Sequence, residues 1–220
     1  MHHEIHGQLA QYLRLTFDGG ETCWAARGAI MSYEDGVRWR LRVPGGAAGA
    51  ARRMLSGEGL ALVQMECARA GASAAFASSR PGTVALWNLD DGPLLTTRGS
   101  FLAAWGDVDI SVTIARRAGA ALFGGAGLFL QRLSGRGTVA IHAAGDLDRR
   151  RLGPGEALTV STGHLAAFDA AVDYDIEYVG GLRKALFSGE GVFMTRLGGP
   201  GEVLLQTLKR KGEIAVQRQR

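Results

Sequence analysis

The residues able to carry chemistry in this 220-residue chain are few: five histidines, two cysteines, one acidic ladder and three Gly-x-Gly phrases. His2, His3 and His6 stand close enough in sequence to bind a metal ion, but a polar N-terminal stretch is expected to be frayed. His142 and His164 have no serine or cysteine beside them in a nucleophile motif, and neither Gly-x-Ser-x-Gly nor His-Glu-x-x-His occurs. No acid–base pair stands out. The expectation is a protein without catalytic residues, cofactor or metal.

The Gly-x-Gly phrases suggest a phosphate cradle: Gly57 and Gly59 in Met54–Leu60, Gly125 and Gly127 in Leu122–Leu128, Gly189 and Gly191 in Leu186–Val192. A P-loop continues into Lys-Ser/Thr, and a dinucleotide fingerprint opens a helix with a third glycine. Here Leu60, Leu128 or Val192 follows and leads into a strand. These glycines are therefore read as structural, at positions needing positive φ or close backbone approach. Asp173, Asp175 and Glu177 form a ladder on one strand face. Their spacing of about 7 Å is too wide for one small ion.

The elements around the phrases repeat. An alternating strand precedes each: Val37–Val43, Val108–Ile114 and Val172–Tyr178. Period-two alternation turns one apolar face inward. Farther upstream, Thr22–Tyr33, Leu94–Trp105 and Leu158–Phe168 each read as strand, glycine turn, strand. Downstream, hairpins are expected with turns near Ala70–Ala72, at Ser134–Gly137 and at Gly198–Gly201, and a short helical turn at Gly180–Phe187. Regular short strands without helical periodicity predict an all-β fold. The three β units, about 16–79, 80–145 and 146–208, make one triplicated domain over 1–208, able to pack about a pseudo-threefold axis and bury one continuous core. The charged ladder before the phrase differs between copies: Arg38, Arg40 and Arg42 in the first, Asp173, Asp175 and Glu177 in the third. The two ladders are expected to meet within the chain or between subunits and to fix an assembly register.

Charge and composition narrow the function classes. The net charge of +4 resides in a basic tail, 209–220. The body is neutral, which argues against a nucleic-acid footprint on a folded face. The tail is suited to peripheral contact with an anionic membrane. Cys23 and Cys67 lack CxxC spacing and are expected as buried hydrophobes in a reducing compartment. No secretory signal or spanning stretch is evident, so a cytoplasmic protein is expected. The 22 arginines against three lysines point to a GC-rich bacterial genome.

Val172–Leu182 running into Leu186–Phe193, together with Leu128–Val139, resembles the altered inheritance of mitochondria protein 24 family. The resemblance covers most of 20–208. It departs at Ala126, where the family has Glu, at Arg136, where it has Pro, and throughout the first unit. It implies three β units similar to the subunit of the tryptophan RNA-binding attenuation protein (TRAP), a short double-stranded β-helix. It also implies oligomer formation, and no catalytic activity. The reading is a non-enzymatic oligomeric scaffold or binding protein, a homo-oligomer with an unknown protein partner. The alternatives are a small-ligand-binding β-helix protein, with a pocket holding Trp105 or Phe168, and a membrane-peripheral organiser acting through the tail.

Overall fold

The computed structural model describes residues 1–44, 61–114, 129–178 and 193–210. Among these the chain forms seventeen β-strands and two single 3-10 turns, at Leu89–Asp91 and Thr162–His164. The all-β expectation holds. The strands fall into a four-stranded sheet, β1-β2-β7-β4, a ten-stranded sheet, and a three-stranded sheet, β13-β16-β15. The ten-stranded sheet runs β12-β17-β14-β9-β11-β10-β3-β6-β5, with β8 paired to β11.

One pairing scheme occurs three times. In β2 (Tyr12–Thr16), β3 (Glu21–Ala25), β4 (Ile30–Tyr33), β5 (Val37–Arg42), β6 (Leu62–Cys67) and β7 (Ser73–Ala77), β2 and β4 flank β7, while β3 and β5 flank β6. In β12 (Leu147–Leu152), β13 (Ala157–Ser161), β14 (Leu165–Asp169), β15 (Asp173–Tyr178), β16 (Phe193–Gly198) and β17 (Gly201–Gln206), β12 and β14 flank β17, while β13 and β15 flank β16. The middle set follows the scheme with fused strands. Here β8 (Gly82–Asn88) pairs with the second half of β11 (Phe129–Ala144), and β9 (Leu94–Thr97) with its first half. β10 (Phe101–Ile114) supplies the two remaining partners.

The register repeats as well. Each third-position strand carries a β-bulge against its neighbour, between Ile30 and Ser32, between Phe101 and Ala103, and between Leu165 and Ala167. A bulge adds one residue and bends the strand. Three recurrences at one place mark it as part of the design of the sheet.

The expected hairpins are not formed. β6 and β7 lie in different sheets, as do β16 and β17, so the glycines between them are corners rather than hairpin turns. In the middle set Ser134–Gly137 is not a turn at all, because β11 runs straight through it opposite Gly106–Asp109. The reason is close approach. Gly106, Gly135 and Gly137 have φ of 103°, 106° and 139°, and a Cβ on Gly135 or Gly137 would overlap the carbonyl oxygen of Asp107 or Trp105. Glycine alone lets two strands touch there and bend together. Within the three sets, the antiparallel neighbours that do follow one another are β5–β6, β10–β11 and β15–β16. Their connections contain all three Gly-x-Gly phrases and the segment Gly180–Phe187, which lie outside the described residues.

The N-terminus is a strand, not a frayed end. β1 (His2–His6) adds to β2 through the ladder His2↔Thr16 to His6↔Tyr12. One row of its backbone groups is thereby paired, and the His3 ring rests 5.4 Å from the Trp105 ring.

Three buried clusters fill the space between sheets. One gathers Leu13, Phe17, Met65 and Phe76, a second Ile110, Leu133 and Val139, a third Phe168, Leu197 and Val203.

Candidate functional site

The sequence-derived candidates scatter over the fold. Arg38, Arg40 and Arg42 lie exposed on β5, at one end of the ten-stranded sheet. Arg40 donates from Nε to Gln64 Oε1 and from Nη2 to Glu66 Oε2, both at 3.2 Å, on the neighbouring β6. Asp173, Asp175 and Glu177 lie on β15, at one end of the three-stranded sheet, and Asp175 stands opposite Arg196 in the register. No backbone ladder joins β5 to β15. The two sets of charge are on separate edges, and each faces a neighbouring strand of its own sheet.

The histidines occupy three settings. His2, Glu4 and His6 share one side of β1, with His6 Nε2 at 3.4 Å from Glu4. No group of three potential metal ligands forms among the described residues. His164 Nδ1 is 2.8 Å from the Gln206 carbonyl oxygen. His142 is 1% exposed. Burial, then the positive charges of Arg210 and Arg80, push its pKa down to about 4, so the ring is neutral.

Around His142 runs a buried polar seam that sequence reading missed. Arg210, counted with the basic tail on sequence grounds, docks on the body. Its Nη1 donates to the Arg98 carbonyl at 2.8 Å, its Nη2 to the His142 carbonyl at 2.6 Å, and its backbone N–H to the Gly163 carbonyl at 2.9 Å. Gln206 Nε2 also donates to Gly163 at 2.8 Å. The guanidinium is buried enough to lower its own pKa to about 10. Every contact here is to main chain. The arrangement straps the chain after β17 across the glycine corners at Gly99 and Gly163, and brings no nucleophile to a base. A run of Lys-Arg-Lys gave no sign of this, because charge runs are usually solvated.

Trp105 and Phe168 are packed, not pocket-lining. Trp105 belongs to the first cluster, and Phe168 is fully buried with an edge contact to Tyr174 at 5.2 Å. A small open depression is lined by Glu34, Asp35, Arg69, Gly71 and Ala72, and by neither aromatic. Cys23 and Cys67 are both free and buried. Burial foremost pushes the Cys23 thiol up to about 12, and the Cys67 Sγ meets the Arg69 carbonyl at 3.2 Å.

The strongest concentration of structure is at two junctions between the repeated sets. β3 of the first pairs with β10 of the second: Ala25↔Ala103, Trp24↔Ala104, Cys23↔Trp105. β9 of the second pairs with β14 of the third: Thr96↔Ala167, Leu95↔Phe168, Leu94↔Asp169. The bulges orient these strands identically. Ala103 and Ala167 each follow the bulge, and Ala25 and Thr96 stand opposite Val63 and Gln131, each four places beyond the second phrase glycine. β9 and residues Phe101–Trp105 of β10 are buried throughout. Sequence patterning concealed this, because a strand buried on both faces loses its alternation.

The comparisons with known proteins fit this architecture. A Streptococcus pyogenes serotype M6 protein described as uncharacterised is 27% identical over 204 residues, which cover 89% of this chain and 81% of the relative. A crystal structure of a Streptococcus pyogenes protein has the same fold, with a TM-score of 0.78, 22% identity and 94% of both chains covered. No helix among the described residues is long and apolar enough to cross a membrane. The Mitochondrial biogenesis AIM24 family matches residues 3–208, so the chain is a member of that family.

Proposed function

We propose that this chain is a non-enzymatic scaffold that works as a homo-oligomer and presents binding surface to a protein partner. The observation that carries the reading is the repeated pairing scheme, whose inter-set junctions are buried while β4 and the first half of β13, at its two ends, are largely exposed. A repeat architecture buries its faces by stacking neighbours, and an end without a neighbour needs a cap or another copy. In this reading the three sets are TRAP-like β units. The seam at His142, where Arg210 and Gln206 bond to main-chain carbonyls, supports a structural role for these two side chains. Two buried free thiols suit a cytoplasmic setting.

The test is mass. Multi-angle light scattering across a hundredfold range of concentration is expected to give a multiple of 23.2 kDa. A single-chain mass throughout refutes the reading.

A further inference from the structure

The two ends of the pairing scheme are complementary. β4 holds the place in the first set that β10 and β14 hold in theirs, and β13 holds the place of β3 and β9. Twice the chain joins these two kinds of strand. Among the described residues β4 and β13 are left over, each ending its sheet with a strand ladder on one side alone.

We infer that β13 of one copy pairs antiparallel with β4 of the next, joining the three-stranded sheet of one to the four-stranded sheet of the other, head to tail. This rests on the oligomeric reading above and names its interface. The register follows from the internal junctions. Val160 stands opposite Thr195 as Thr96 stands opposite Gln131, and Ser32 follows its bulge as Ala167 does. Transposing Thr96↔Ala167 and Leu95↔Phe168 puts Ser32 opposite Val160 and Tyr33 opposite Thr159.

Exposed apolar area marks β4, where Met31 is 55% and Tyr33 48% exposed, whereas Phe168, at the position of Tyr33, is fully buried. It does not separate β4 from β5, whose Trp39 and Leu41 are 47% and 56% exposed. What chooses β4 and β13 over the other edges is the lack of guards. Strands that end a sheet in solvent are normally protected by charge or proline. β1, β5, β12 and β15 carry histidine, arginine, aspartate or glutamate. β4 (IMSY) and β13 (ALTVS) carry no charge and no proline. β8 is also uncharged, but it is largely buried. A second copy fits because the required partner strand exists only on this chain's opposite end, with the backbone polarity and bulge already in place. The contact is heterologous, so copies close into a ring or extend as a filament.

The experiment mixes two singly substituted chains, Tyr33→Cys and Thr159→Cys, both at exposed positions that the register sets opposite each other, under mild oxidation. Cys23 and Cys67 are buried and stay silent. A disulfide-linked pair containing one chain of each kind is expected. Ser32→Cys with Thr159→Cys is the register control and should link at least tenfold less, since adjacent strand residues face opposite sides. Independently, Tyr33→Lys, at an exposed position, should reduce the light-scattering mass to one chain with an unchanged melting temperature. If the doubly substituted chain links only within itself, the inference is overturned by closure inside one molecule. If the mass stays multiple in Tyr33→Lys and no mixed disulfide forms, this interface is wrong and the oligomeric reading survives. If the unsubstituted protein has a single-chain mass, both fall.

Discussion

β14 and β4 occupy the same slot of the same scheme and live in different environments. β14 lies between β9 and β17, and Leu165 to Phe168 are all buried. Among the described residues β4 has β7 on one side and no strand on the other, and Met31, Ser32 and Tyr33 are exposed. The sequences follow the environments. LAAFD has two small residues where strands approach closely and one aromatic for the core, whereas IMSY is bulkier after its first residue and ends in a phenol. The difference teaches that the slot does not determine burial; the neighbour does. A strand in a repeated scheme is interior or edge according to whether the next set is present.

The largest expected effect separates these two strands. Phe168→Ala removes a fully buried ring from the third cluster and should cost about 3–5 kcal/mol. Tyr33→Ala should change the folding free energy of the isolated chain by no more than about 0.5 kcal/mol, as surface substitutions do. Urea denaturation of both variants at low protein concentration measures the contrast. Equal costs would break it, because Tyr33 would then already have a neighbour.

A smaller effect concerns charge in the interior. His142 has a folded-state pKa near 4, against an ordinary value of 6.5, because burial and then Arg210 disfavour its charged form. The unfolded chain therefore takes up the proton first as pH falls. The stability that goes with the neutral ring is complete above about pH 6.5 and is lost as pH falls towards 4, in total about 3 kcal/mol. The third set carries Gln206 at this point of the scheme, and Gln206 is buried too. His142→Gln should thus flatten this part of the pH profile in denaturant titrations at pH 4.5 and 7. Arg210→Ala should raise the His142 pKa and narrow the window. An unchanged slope in His142→Gln would assign the acid sensitivity elsewhere.

How much of this was legible in the residues differs by element. The alternating strands at Val108 and Val172 were readable, because one face is wet and the other dry; the strand at Val37 alternates in sequence, yet Trp39 and Leu41 are exposed along with its arginines. The interior strands β9 and β10 were readable as strands from β-forming residues, but not as the junctions. Leu94-Leu95-Thr96-Thr97 shows no alternation, and pairing partners 71 to 82 residues apart leave no local mark. Gly135 and Gly137 were legible as special backbone, yet were taken for a turn. A glycine needed for close strand approach and a glycine needed for reversal look alike in sequence. Arg210 was hidden by its basic neighbours. Among the candidate sites, the arginines on β5 and acids on β15 were placed on strands correctly. Each set faces its own sheet in the described structure, and the burial of β9 and β14 against the exposure of β4 required coordinates.

The smallest expected effect tests whether β5 is a guarded edge. Arg40 and Glu66 are 3.2 Å apart, with side chains 50% and 44% exposed. Such a pair loses side-chain freedom, is screened by salt, and is worth between nothing and about 1 kcal/mol. Arg40→Thr keeps a good strand former and removes the charge. Its cost should therefore stay below about 1 kcal/mol in low salt and shrink further at 1 M salt. Denaturation at the two salt concentrations reads both numbers. A salt-independent cost of 2 kcal/mol or more would mean that β5 is covered in the native assembly, and that its exposure resembles that of β4. A small, screened cost keeps the two edges distinct: β5 kept apart from other strands by its arginines, β4 left open to receive one.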